Sequence, residues 1–157
     1  MSQTYEPLIE DSVEIDAPPA AVWALVSDLT RMGDWSPQVD STRWRGDATA
    51  PAVGVQFTSR NSHGELVWKT TGEVVRLVPE QEIAFRIEEN WVVWSFHLEP
   101  TETGGTRLSQ RREVPEGLSQ TSVELTDGFM GGQDAFTAQL RAGMRQTLEG
   151  IRASAES

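Results

Sequence analysis

The chain has 157 residues, the size of one domain, and is long enough to bury about two-thirds of the surface it exposes when unfolded. Its formal charge of −11 repels phosphate backbones and anionic lipid surfaces, and its 13 Lys and Arg form no run that would offset this locally, so no nucleic-acid partner is expected. Zero cysteines exclude disulfides and thiolate metal sites, while six Trp and five Phe concentrate an apolar fraction of only 38% into large rings.

The N-terminal stretch MSQTYEPLIEDSVEID carries neither a basic region nor an apolar core, and no window reaches the length of a membrane span. A cytoplasmic protein without stable membrane insertion is the expectation. From Leu8 to Ile15, Ile9, Val13 and Ile15 alternate as on a half-buried strand. Asp16-Ala17-Pro18-Pro19 ends it, and Pro19 suits the first position of a helix, where its fixed φ is favourable and its missing N–H costs nothing. Val22, Leu25, Val26 and Leu29 then recur at helical spacing, and Thr30 to Trp35 predicts a second helical turn closed near Pro37.

Between Val39 and Val114 about six β segments are separated by turn chemistry at Gly46 to Gly54, Asn61 to Gly64, Pro79 to Gln81, Glu89 to Asn90 and Thr103 to Gly105. With no helix-length pattern between them, consecutive strands pair antiparallel. Alternation places Val55, Phe57 and Ser59 on the inward face, followed by Trp68, Thr70, Gly72 and Val74. Ile83, Phe85 and Ile87, then Val92, Trp94, Phe96 and Leu98, and finally Leu108, Gln110 and Arg112 continue it. The C-terminal segment switches to helical period. Phe129, Phe136, Leu140, Met144, Leu148 and Ile151 share one stripe of a helix longer than 20 residues, with Gly131-Gly132 as a kink.

The layout is α+β: a meander of six to seven antiparallel strands, two short helices after the first strand, and one long C-terminal helix in a single domain over residues 1–157. A sheet this wide curls around a single helix about 10 Å across, and the curl leaves space between them.

The stretch VEIDAPPAAVWALVSDLTRMGDWSPQV, with EVVRLVPE, WSFHLEP, GGTRL and AGMRQTLEGIRASAE, resembles the START/Bet v 1-like polyketide cyclase and lipid-transport group over nearly the whole chain. The most specific part is the strand, then Ala-Pro-Pro, the helix, and Trp35-Ser36-Pro37. The resemblance implies a helix-grip fold with a cavity for lipids, sterols, polyketides or hormones. Members of the group include carriers, cyclases and interaction modules.

Site chemistry is sparse. Only His63 and His97 are present, one in a predicted turn and one on an outward phase, so no metal or other cofactor is expected. No nucleophile elbow or phosphate loop appears. What the inward phases offer is a set of rings and uncharged polar groups. Phe57, Trp68, Phe85, Trp94, Phe96 and Phe136, with Leu140, would hold an apolar or aromatic ligand, and Ser59, Thr70, Gln110 and Gln133 would orient it. Trp35 reads either as a gate or as a core plug, with Phe129 on the opposite lip beside Pro115 to Leu125. Arg112 is the one inward charge, a weak catalytic candidate set against the plainer reading of an exposed strand-end arginine.

Three functions follow in order: a carrier or sequestering protein for a hydrophobic small molecule, a polyketide cyclase or aromatase using the same walls, and an interaction module with a collapsed cavity. Either a monomer or a homodimer fits.

Overall fold

A computed structural model describes residues 8–89, 91–115 and 133–157, without the side chains of residues 63 and 133–136. Among them, seven strands form one antiparallel sheet: β1 (Leu8–Ile15), β2 (Val39–Trp44), β3 (Gln56–His63), β4 (Leu66–Val78), β5 (Glu82–Ile87), β6 (Val93–Pro100) and β7 (Thr106–Glu113). Their order is β1-β7-β6-β5-β4-β3-β2, so a simple meander is closed by β1 returning to the far edge. Helix α1 (Pro19–Val26) and a 3₁₀ helix (Leu29–Asp34) follow β1, and α2 (Gln133–Glu156) ends the chain. This is the helix-grip architecture expected from the sequence.

Local chemistry accounts for the entry into α1. Pro18 is extended at the N-cap and Pro19 occupies the first turn, while the Pro18 carbonyl accepts from the amides of Ala21 and Val22. Ser27 closes the helix by donating its hydroxyl to the Trp23 carbonyl at 2.7 Å, and the Asp28 carboxylate caps the 3₁₀ turn through the Thr30 amide. Val22, Val26 and Leu29 are thereby driven fully into the core.

The predicted strand phases hold across most of the sheet. Phe57, Ser59, Val74, Ile83, Phe85, Ile87, Phe96, Leu98, Leu108 and Gln110 are buried, whereas Lys69, Glu73, Glu88 and Arg107 are exposed. A bulge between Val74 and Arg76 resets the phase of β4, so that Leu77 pairs with Ile83 on the core side while Arg76 points outward to Glu82, 2.9 Å away. One boundary moves. Asn61 and Ser62, read from sequence as turn residues, belong to β3, and the reversal is confined to Gly64-Glu65, with Gly64 at φ 62°.

Helix α2 lies chiefly along β1. Met144, Leu148 and Ile151 are buried, and Arg145 donates to the Asp11 carboxylate at 2.6 Å. Nearer the C-terminus the helix comes close to the 3₁₀ segment, where Gly150 meets Trp35, and the Glu156 carboxylate accepts from the Asp16 amide at 2.8 Å. The helix is therefore fastened to the β1 side of the sheet, and space remains over β3 to β7 of the concave face. The predicted kink at Gly131-Gly132 lies outside the described residues. No helix among these residues is long and apolar enough to cross a membrane.

Candidate functional site

A cavity of about 540 Å³ lies between the concave sheet and α2, within the range of small-molecule pockets. Its floor comes from alternate positions of five strands: Phe57, Ser59 and Asn61 on β3, Trp68 and Thr70 on β4, Phe85 and Ile87 on β5, Trp94 on β6 and Gln110 on β7. Met32, Ser36, Pro37, Gln38 and Val39 close one side, and Gln139, Leu140, Gly143, Met144, Gln146 and Thr147 of α2 form the roof.

The floor is aromatic because of how the ladder pairs. Val74 stands opposite Phe85, and Phe85 opposite Trp94. Phe57 packs edge-on against Phe85 at 5.2 Å between ring centroids and against Trp44 at 6.3 Å. Directly across from Phe57 is Gly72, whose missing side chain makes room for the ring.

Polar groups interrupt this surface, and most have found partners. Ser59 bonds the buried Thr42 hydroxyl at 2.9 Å, and Asn61 Nδ2 donates to Thr70 Oγ1 at 3.1 Å. Thr147 donates to the Gly143 carbonyl at 2.8 Å and lies 3.3 Å from the Ser36 hydroxyl. Two have not: Gln110 Oε1 and Gln139 Oε1 are buried without a hydrogen-bond partner, a state that costs about 1–3 kcal/mol per group. Among the described lining residues none is charged or titratable near neutral pH.

Of the residues picked out from sequence, Phe57, Ser59, Trp68, Thr70, Phe85, Trp94, Gln110 and Leu140 are brought together on this wall. Two are not. Trp35 is 7% exposed and sits under α2 against Gly150, with the Arg31 guanidinium 5.1 Å from its ring centre, so it is a plug of the core and does not line the cavity. Phe96 is 2% exposed and belongs to the packed core rather than the wall. Phe129 and the side chains of Gln133 and Phe136 lie outside the described residues, as does most of the Pro115 to Leu125 lip. Arg112 is buried, 3% exposed, rather than a solvated strand-end arginine, with Trp94 and Ile9 as ladder neighbours, and it is not part of the described wall.

Sequence reasoning missed Asn61, Gln139, Gly143 and Thr147. Asn61 was hidden by its resemblance to turn chemistry. The other three flank the apolar stripe of α2, a signal that a helical wheel contains but that apolar periodicity ignores.

Outside the cavity, on the convex face, His97 lies 2.9 Å from the Ser95 hydroxyl and 3.7 Å from Glu82. Burial, then the neighbouring Arg111, holds its pKa below the ordinary histidine value despite Glu82. Both contacts use the same ring nitrogen and Ser95 is fully buried, so the group is structural and not a nucleophilic triad. No cluster of metal-ligating side chains occurs among the described residues.

The family model for polyketide cyclase / dehydrase and lipid transport matches residues 7–156. A polyketide-cyclase-like protein of Corynebacterium glutamicum is 33% identical, with 95% of this chain and 91% of that one covered at a TM-score of 0.62. The Zhui aromatase/cyclase of a Streptomyces species shares the fold at 15% identity, 95% and 93% coverage and a TM-score of 0.73. So does a major latex-like protein of Panax ginseng, at 12% identity, 96% and 97% coverage and a TM-score of 0.69. No curated protein matches the chain.

Proposed function

Since the chain belongs to the polyketide cyclase/dehydrase and lipid-transport family, whose fold is a ligand-binding one, we propose that it is a cytoplasmic carrier or sequestering protein that holds a hydrophobic or aromatic small molecule, lipid-, sterol- or polyketide-like, between its sheet and α2. The observation that carries this reading is the 540 Å³ cavity floored by Phe57, Trp68, Phe85 and Trp94. An open volume of that size also argues against an interaction module with a collapsed interior.

The cyclase or aromatase reading uses the same cavity and draws on the family name. Acid–base chemistry on a polyketide requires a titratable group in contact with the substrate. The described wall supplies amides and hydroxyls, which position and polarise but do not exchange protons near neutral pH. Carriage is therefore the better-supported function.

Titration with the neutral dye Nile red, followed by intrinsic tryptophan fluorescence, tests the proposal, because Trp68 and Trp94 both face the cavity. Saturable quenching at micromolar dye, reduced in Trp94→Phe and reversed by apolar competitors, is the expected result. A linear, unsaturable response in the wild-type protein would sink it.

A further inference from the structure

The chemistry of the cavity wall selects a class of ligand. The floor carries four rings, Phe57, Trp68, Phe85 and Trp94, suited to a flat apolar body, set among Ser59, Asn61, Thr70 and Gln110. The roof mixes the apolar Leu140 and Met144 with Gln139, Gly143, Gln146 and Thr147, so it offers polar groups beside apolar ones. Each face holds one amide oxygen without a partner, Gln110 Oε1 of β7 in the floor and Gln139 Oε1 of α2 in the roof. Gln110 is 7% exposed, so its side chain is turned to the interior and away from bulk solvent. The terminal torsion of a glutamine is broad, which lets either amide turn its oxygen toward an occupant of the cavity at little cost.

An unpartnered acceptor is satisfied only by a donor. A hydroxyl or an N–H provides one. A carboxylate brings acceptors alone and a charge that no described wall residue balances, and burying such a charge without a counter-ion is strongly unfavourable. The overall charge of −11 adds a repulsive field that works in the same direction at a distance.

From this we infer that the cavity takes an uncharged, flat, donor-bearing molecule, such as a phenol, an alcohol or an amide on a fused-ring body, and discriminates against the carboxylates and fatty acids that its volume would otherwise admit. The inference rests on the cavity being a ligand site, as proposed above.

The test uses three probes with one ring system: pyrenecarboxamide, pyrenecarboxylate and methylpyrene, titrated into the full chain at neutral pH with tryptophan fluorescence as the readout. The carboxamide and carboxylate are nearly isosteric and differ in charge and donors, while methylpyrene has neither. Sodium chloride at about 1 M shortens the Debye length to about 3 Å, so any remaining selectivity belongs to the walls and not to the overall charge.

The expected order is carboxamide first, with the carboxylate at least tenfold weaker and methylpyrene between them. In Gln110→Leu, and separately in Gln139→Leu, the advantage of carboxamide over methylpyrene shrinks severalfold, because the carboxamide loses an acceptor for its N–H while methylpyrene has no donor to lose. Using two variants on different elements keeps the test intact if one fails to fold. Carboxylate binding equal to carboxamide overturns the inference while leaving the ligand site standing, and so does a methylpyrene affinity equal to that of the carboxamide in the wild type. Failure of all three probes together with Nile red overturns the ligand site itself.

Discussion

The ring of Phe57 lies across Gly72, its directly paired neighbour on β4: a Cβ on Gly72 would overlap Phe57 Cζ and stand 2.7 Å from both Cε atoms. Nothing in the strand requires glycine for its backbone angles here. The ring requires it, and the ring in turn sets the depth of the cavity floor beside Phe85.

Gly72→Ala therefore forces the Phe57 ring upward into the cavity or the two strands apart. A loss of about 1–3 kcal/mol is expected from overpacking of this kind, read as a lower urea midpoint at unchanged slope. Combining it with Phe57→Leu should give less than the sum of the two single losses, because the smaller side chain removes the clash. Strict additivity would show that the contact carries no energy.

Glycines on α2 separate packing from propensity. A Cβ on Gly143 meets Pro37 Cγ at 3.4 Å, an ordinary contact, so Gly143→Ala should stabilise the protein by up to about 1 kcal/mol through helix propensity while trimming the cavity roof. A Cβ on Gly150 would stand 2.8 Å from Trp35 Cβ, and Gly150→Ala should instead destabilise by about 1–3 kcal/mol. Thermal unfolding of the two variants in parallel checks both signs.

His97 makes stability depend on pH in a defined direction. Its folded pKa is lowered by burial and by Arg111, so the unfolded chain takes up the proton first as pH falls. The contribution is fully present above the ordinary value of about 6.5 and is lost as pH drops through that value toward the folded one. His97→Gln keeps a partner for Ser95 and should flatten the fall of Tm just below pH 6.5. An unchanged profile would assign that dependence to other groups.

The sequence was most readable where a single period governs. Alternation on β3, β5 and β7 placed Phe57, Ser59, Phe85 and Gln110 correctly, because one face of each strand is covered and a one-residue slip would expose it. It was least readable where the inside divides into packed core and open cavity. Phe96 and Trp94 share one inward phase, yet only Trp94 reaches the cavity. The division is set by α2 leaning on β1, a tertiary fact with no period of its own. Trp35 shows the same limit, since whether it gated or plugged depended on the approach of Gly150, more than a hundred residues away in the chain.

The position of β1 has a consequence for how the protein is made. Its strand partner in the sheet is β7, with Ile15 opposite Thr106 and Leu8 opposite Glu113, so about ninety residues must be synthesised before the first rung can close. At roughly 5–20 residues per second, β1 waits on the order of 5–20 s on the ribosome with Ile9, Val13 and Ile15 uncovered and its backbone unpaired. Closure of the β1–β7 edge is then a late event, and Glu10, Asp11 and Glu14 set acidic charge beside those apolar residues, the kind of charge that discourages an unpaired strand from pairing with another chain.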